Sequence, residues 1–174
     1  EQRHIEQALP TGRQTKIDEF LQRTDLTSVQ LWLAIDRLLA EAPRGDGSWT
    51  SRYYPPPQDS PVWPLLDDGS RSKVLDIARE YVINAEPTHE ETKIAGFRAL
   101  WLLLELQSGF LDRLQVPIWT KWISSILQYP EVQLEQFWVA YRELLTRVYR
   151  LAPTSVVSTA HQLMVSGESG AIDQ

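Results

Sequence analysis

Few side chains in this chain stand where they could do chemistry together. His89, Glu90 and Glu91 form the most suggestive set, since a histidine beside two carboxylates is raw material for acid–base catalysis or a metal site. Successive helical positions diverge by about 100°, however, and no second His follows four residues on, so the zinc-protease pattern is missing. Two Glu in a first helical turn are explained by the helix macrodipole alone. His4 and His161 are remote in sequence, and spacing neither builds nor excludes a Ser-His-Asp arrangement. Gly45-Asp46-Gly47-Ser48 lacks the spacing and the Lys of a phosphate loop. With no Cys, disulfides and thiolate-held metals are excluded. No catalytic residue, metal ligand or cofactor motif is assigned.

Two groups of residues suit recognition better. The first is a proline–aromatic stretch, residues 43–69, which holds six of the eleven Pro together with Trp49, Tyr53, Tyr54 and Trp63. Tyr54-Pro55-Pro56-Pro57 cannot be helical and favours polyproline II, whose exposed acceptors and prior order suit an aromatic groove on a partner. Long irregular loops within a compact domain are usually functional or disordered. Trp49, Tyr53, Tyr54, Pro55, Pro56, Pro57 and Trp63 are therefore the candidate partner-binding residues. The competing expectation is that these rings fold back onto the helices and the prolines only stiffen the connection. The second group is Trp119 and Trp122, three apart, with Trp138 and Tyr141 beyond the turn at Pro130. These four are a candidate pocket for a hydrophobic small molecule or pigment, or else ordinary core.

The elements that must position them are helices. Ile17, Phe20 and Leu21 mark a short amphipathic helix. Thr27 and Gln30 have capping-box spacing, and Leu31 to Leu39 carry a helix that Pro43 ends. Helix resumes near Ser70, with Val74, Ile77, Ala78, Tyr81 and Val82 on one face. Thr88 and Glu91 form a second capping box opening a long helix through Phe97 and Trp101 to about Gly109. Apolar residues occur on nearly every side of it, as in a central helix with neighbours all round. Arg98 and Glu105 within it are expected at the solvated edge. Pro117, Pro130 and Pro153 each open a further helix. The stripe after Pro130 runs Leu134, Phe137, Trp138, Tyr141, Leu144, Leu145 and Val148, with Arg142, Arg147 and Arg150 on a mixed, solvated face. No convincing strand appears.

This predicts one all-α domain over residues 1–174, an irregular bundle or HEAT-like stack of about six to seven helices with one long Pro/aromatic-rich loop. Residues 1–12 and 167–174 are expected to be flexible. The alternation of helix and tight turn is similar in style to HEAT and armadillo scaffolds, in architecture only, and no signature residues assign a family.

The net charge of −6 argues against broad nucleic-acid or anionic-membrane binding. The charge is uneven: residues 1–97 hold 11 basic and 16 acidic side chains, and residues 98–150 hold 6 and 5. The apolar run from Ala99 to Leu106 falls short of the ~20 residues of a bilayer span and reads as core. The chain opens at Glu1, as a processed chain or excised piece would. The compartment is left open, an intracellular one being slightly favoured. The expected role is a non-enzymatic protein–protein interaction module, such as an adaptor, assembly factor or regulatory domain. Its partner is another protein, and self-association stays open.

Overall fold

The computed structural model describes residues 10–40, 42–43, 49–50, 56–129 and 135–171. Helix α1 (Pro10–Leu21) and α2 (Ser28–Ala40) are followed by a two-residue antiparallel pair, β1 (Ala42–Pro43) with β2 (Trp49–Thr50). Two 3-10 turns, Pro57–Asp59 and Trp63–Leu65, lead to α3 (Asp68–Asn84) and α4 (Glu90–Leu111). The chain closes with α5 (Val116–Lys121), α6 (Ile123–Gln128), α7 (Glu135–Leu151) and α8 (Pro153–Ala171). The fold is all-α. The β1–β2 pair is the one departure from the expectation of no strand.

Local chemistry sets the helix starts. Thr27 and Gln30 form the expected reciprocal cap: the Thr27 N–H donates to Gln30 Oε1 (3.0 Å) and the Gln30 N–H to Thr27 Oγ1 (3.3 Å). Asp67 caps α3 by accepting the Ser70 N–H at 2.6 Å. The cap expected at Thr88–Glu91 lies one residue on, where the His89 N–H donates to Thr92 Oγ1 at 3.1 Å. Helix α1 begins at Pro10, and α8 runs through Ala171.

Each helix turns a periodic stripe inward: Leu31, Trp32, Ile35, Asp36, Leu39 and Ala40 from α2, and Val74, Ala78, Tyr81 and Val82 from α3. In α4 every residue from Ala95 to Leu103 is buried, which makes it the central helix. By length and composition α4 could also cross a membrane. Helices α2, α3, α6 and α7 pack on it, while α8 lies mainly against α6 and α7.

Three aromatic side chains pin this arrangement. The Trp32 ring lies 6.2 Å from that of Tyr81, and Tyr81 stacks on Trp122 at 5.8 Å. Each polar tip reaches a carbonyl on another element: Trp32 Nε1 to Ala95 (2.9 Å), Tyr81 Oη to Thr92 (3.0 Å) and Trp122 Nε1 to Val82 (2.9 Å). The benzo ring of Trp122 lies so close to Gly96 that any Cβ there would overlap it. Trp122 also divides the single helix expected after Pro117 into α5 and α6, its own backbone serving as the cap of each.

Arg98 is not at a solvated edge. It is fully buried, and its Nε donates to Asp36 Oδ1 at 2.6 Å. Glu105, seven residues on, is exposed. Since α4 has neighbours on all sides, Arg98 meets α2, and Asp36 was not singled out because it sits in an otherwise apolar stripe. Burial pushes the Asp36 carboxyl above the usual carboxylate range, outweighing the opposite pull of Arg98. Arg98, by contrast, is held above its ordinary value by Asp36 and Tyr129 in spite of burial, so the cost of taking the pair out of water shows at the carboxyl.

Two outcomes follow. Gly96→Ala gains roughly 1 kcal/mol of helix propensity, yet the clash with Trp122 should make it net destabilising by about 1–3 kcal/mol in urea melts. Asp36→Ala should cost about 3–5 kcal/mol by stranding a buried guanidinium, whereas Asp36→Leu with Arg98→Met should be near neutral or stabilising.

Candidate interaction surface

Between residues 56 and 66 the proline–aromatic segment turns Pro56, Pro57, Ser60, Val62, Trp63 and Leu66 inward and leaves Pro61, Pro64 and Leu65 exposed. Pro56 and Pro57 are buried, and Trp63 joins Val62 and Leu66 in the hydrophobic core. Arg71 holds the second turn from α3, its Nε donating to the Trp63 carbonyl (3.3 Å) and its Nη2 to that of Pro64 (3.0 Å). Pro56, Pro57 and Trp63 are therefore core contributors rather than free recognition groups, because the 3-10 turns roll them onto the bundle. Trp49 pairs through its backbone opposite Pro43. Tyr53, Tyr54 and Pro55 lie outside the described residues.

The four candidate pocket residues do not converge. Trp122 is committed to Gly96, Tyr81 and Val82. Trp119 is buried beside a cleft of about 190 Å³ shared with Leu111, Asp112, Arg147, Arg150 and Leu151, small for a drug-sized ligand. Trp138 is 42% exposed, with its ring 5.9 Å from Tyr141. Trp119 and Trp122 are both buried, and their surroundings differ: Trp122 lies against Gly96 and Tyr81, Trp119 beside Leu111 and Leu151.

What the fold does present is the outside of α7 and α8. Phe137, Ala140, Leu144 and Val148 form the buried stripe of α7. Trp138, one position and about 100° from Phe137, therefore lies on the outer flank. The same flank carries Arg142, half-buried Leu145 and exposed Tyr149. In α8, Val156 faces inward while Val157, Met164 and Val165 are exposed. Of the eleven large hydrophobic residues exposed among the described residues, seven fall between Trp138 and Val165. From Leu151 to Gly167 the sequence contains no Asp, Glu, Lys or Arg. A shallow groove of about 520 Å³ runs along Pro153, Thr154, Val157, Ser158 and His161.

The charges here are unequally committed. Arg147 is tied to Asp112 and, at 2.8 Å, to Glu143. Arg142 donates its Nε to the Trp138 carbonyl at 3.3 Å. Among the described residues, neither Arg142 nor Arg150 has a carboxylate within ion-pair distance. His89 and His161 are exposed and far apart in the chain. No group of three or more His, Asp or Glu side chains is placed to hold a metal among the described residues.

Comparison with known protein families, characterised proteins and solved structures returns no match.

Sequence pattern put Phe137 and Trp138 on one stripe. A finer reading, with Phe137, Ala140, Leu144 and Val148 at i, i+3, i+7 and i+11, would have separated them. The distinction is measurable. Trp101→Ala, which empties a fully buried site, should cost about 3–5 kcal/mol in denaturant melts. Trp138→Ala should cost about 1 kcal/mol or less, in the range of surface substitutions.

Proposed function

We propose that this chain is a protein–protein interaction module, an adaptor or regulatory domain of a larger assembly, which offers the outer face of α7 and α8 to another protein. One observation carries the reading: the exposed large hydrophobics concentrate on this C-terminal helix pair, and one of them is a Trp. Exposed apolar surface gathered in one region, rather than scattered singly, marks an interaction site. Trp, Tyr and Arg are the residue types that most often dominate binding energy, and all three lie on the outer flank of α7. The proline–aromatic segment supports this role indirectly. Its Trp63 braces the bundle that holds α7 in place.

The test is affinity capture from the source cells with the wild-type chain and with a Trp138→Ala, Tyr149→Ala double variant. A specific protein retained by the first and lost by the second, with melting temperatures within a few degrees, is the expected outcome. Retention of the same proteins by both variants would sink the proposal.

A further inference from the structure

Trp138, Arg142, Leu145 and Tyr149 stand at i, i+4, i+7 and i+11. At 100° per residue they fall within about 60° of one another and span roughly 16 Å along α7, about three helical turns. Side chains at this spacing share one face, the stripe that one helix offers to another packing along it. Accepting the interaction role proposed above, we infer that the segment docked on this stripe is an amphipathic helix of another protein, carrying a carboxylate opposite Arg142.

The charge follows from what docking would do to Arg142. Arg142 stands in the middle of the stripe, one turn from Trp138 and one from Leu145 along α7. A partner helix lying along the stripe must cover it. Its one assigned contact is the Trp138 carbonyl, and among the described residues it has no carboxylate partner. Glu143, the adjacent residue, is committed to Arg147. Glu105 and Arg142 border one groove of about 410 Å³ between α4 and α7 without forming an ion pair. Covering an uncompensated guanidinium with apolar surface is costly, so a stable complex needs an acceptor from the partner, and a carboxylate matches it best. Arg150, also without a carboxylate partner among the described residues, extends the positive flank toward the C-terminal end of α7. A second copy of this chain fits badly. A two-fold contact would set the same patch against itself, and the stripe Trp138, Arg142, Leu145 and Tyr149 contains no carboxylate to meet Arg142.

A library of random 16-residue peptides displayed on phage provides the probe. Peptides selected on the wild-type chain should combine large apolar residues at helical spacing with Asp or Glu, and Trp138→Ala should release them. For a selected peptide, Arg142→Glu should weaken binding by about tenfold or more in fluorescence anisotropy, and replacing the peptide's carboxylate by Lys should restore binding to that variant alone. Selected peptides that depend on Trp138 but show no acidic bias, or that bind Arg142→Glu unchanged, would overturn the charge inference and leave the interaction surface standing. Peptides indifferent to Trp138→Ala would overturn both. A dimer in sedimentation equilibrium that Trp138→Ala dissociates would make the occupant a second copy and overturn the inference.

Discussion

The Trp122 indole occupies the space that a side chain at Gly96 of α4 would need, and most of the architecture follows from it. Only a residue without a Cβ lets that ring lie flat against the central helix. Seated there, Trp122 meets Tyr81 of α3 on one side and bends the chain between α5 and α6. Tyr81 in turn packs on Trp32 of α2, which donates to the Ala95 carbonyl immediately before the glycine. Three large rings, each with its polar tip satisfied, thus join four helices around one turn of α4.

A second tie, Arg98 to Asp36, joins α2 to α4 deeper in the bundle. It differs in kind. The aromatic ladder buries apolar area and satisfies its donors, so it stabilises outright, while the ion pair spends most of its attraction offsetting desolvation. Its contribution is to orientation: a guanidinium and a carboxylate that must meet admit few ways of setting α2 against α4. The Trp101 and Trp119 indole N–H groups are buried and meet no acceptor among the described residues. They show that packing, rather than complete hydrogen bonding, dominates the rest of the core.

This use of tryptophan bears on function. Of the seven Trp, five (Trp32, Trp63, Trp101, Trp119 and Trp122) are consumed by the core. Trp138 is left half exposed on a helix whose opposite face is fully committed. Exposed apolar surface is therefore concentrated on the last two helices, where the proposed interaction face lies. The proline-rich connection, where turn chemistry is densest, contributes Pro56, Pro57, Val62, Trp63 and Leu66 to the interior where it is described.

Spacing and caps alone determined the helical class, the central place of α4 and the reciprocal cap at Thr27 and Gln30, because these depend on interactions within a few residues. Phe97 and Trp101 were legible as core for the same reason, apolar residues on every side of one helix. Three things were decided only in the tertiary structure: that Arg98 pairs with Asp36 across 62 positions, that Trp122 seats against Gly96, and that Trp138 faces out. Each turns on which neighbour lies across a helix. Helical periodicity says which residues share a face, but what that face meets is set by the packing of segments far apart in the chain, and a single glycine at position 96 sets how closely they can approach.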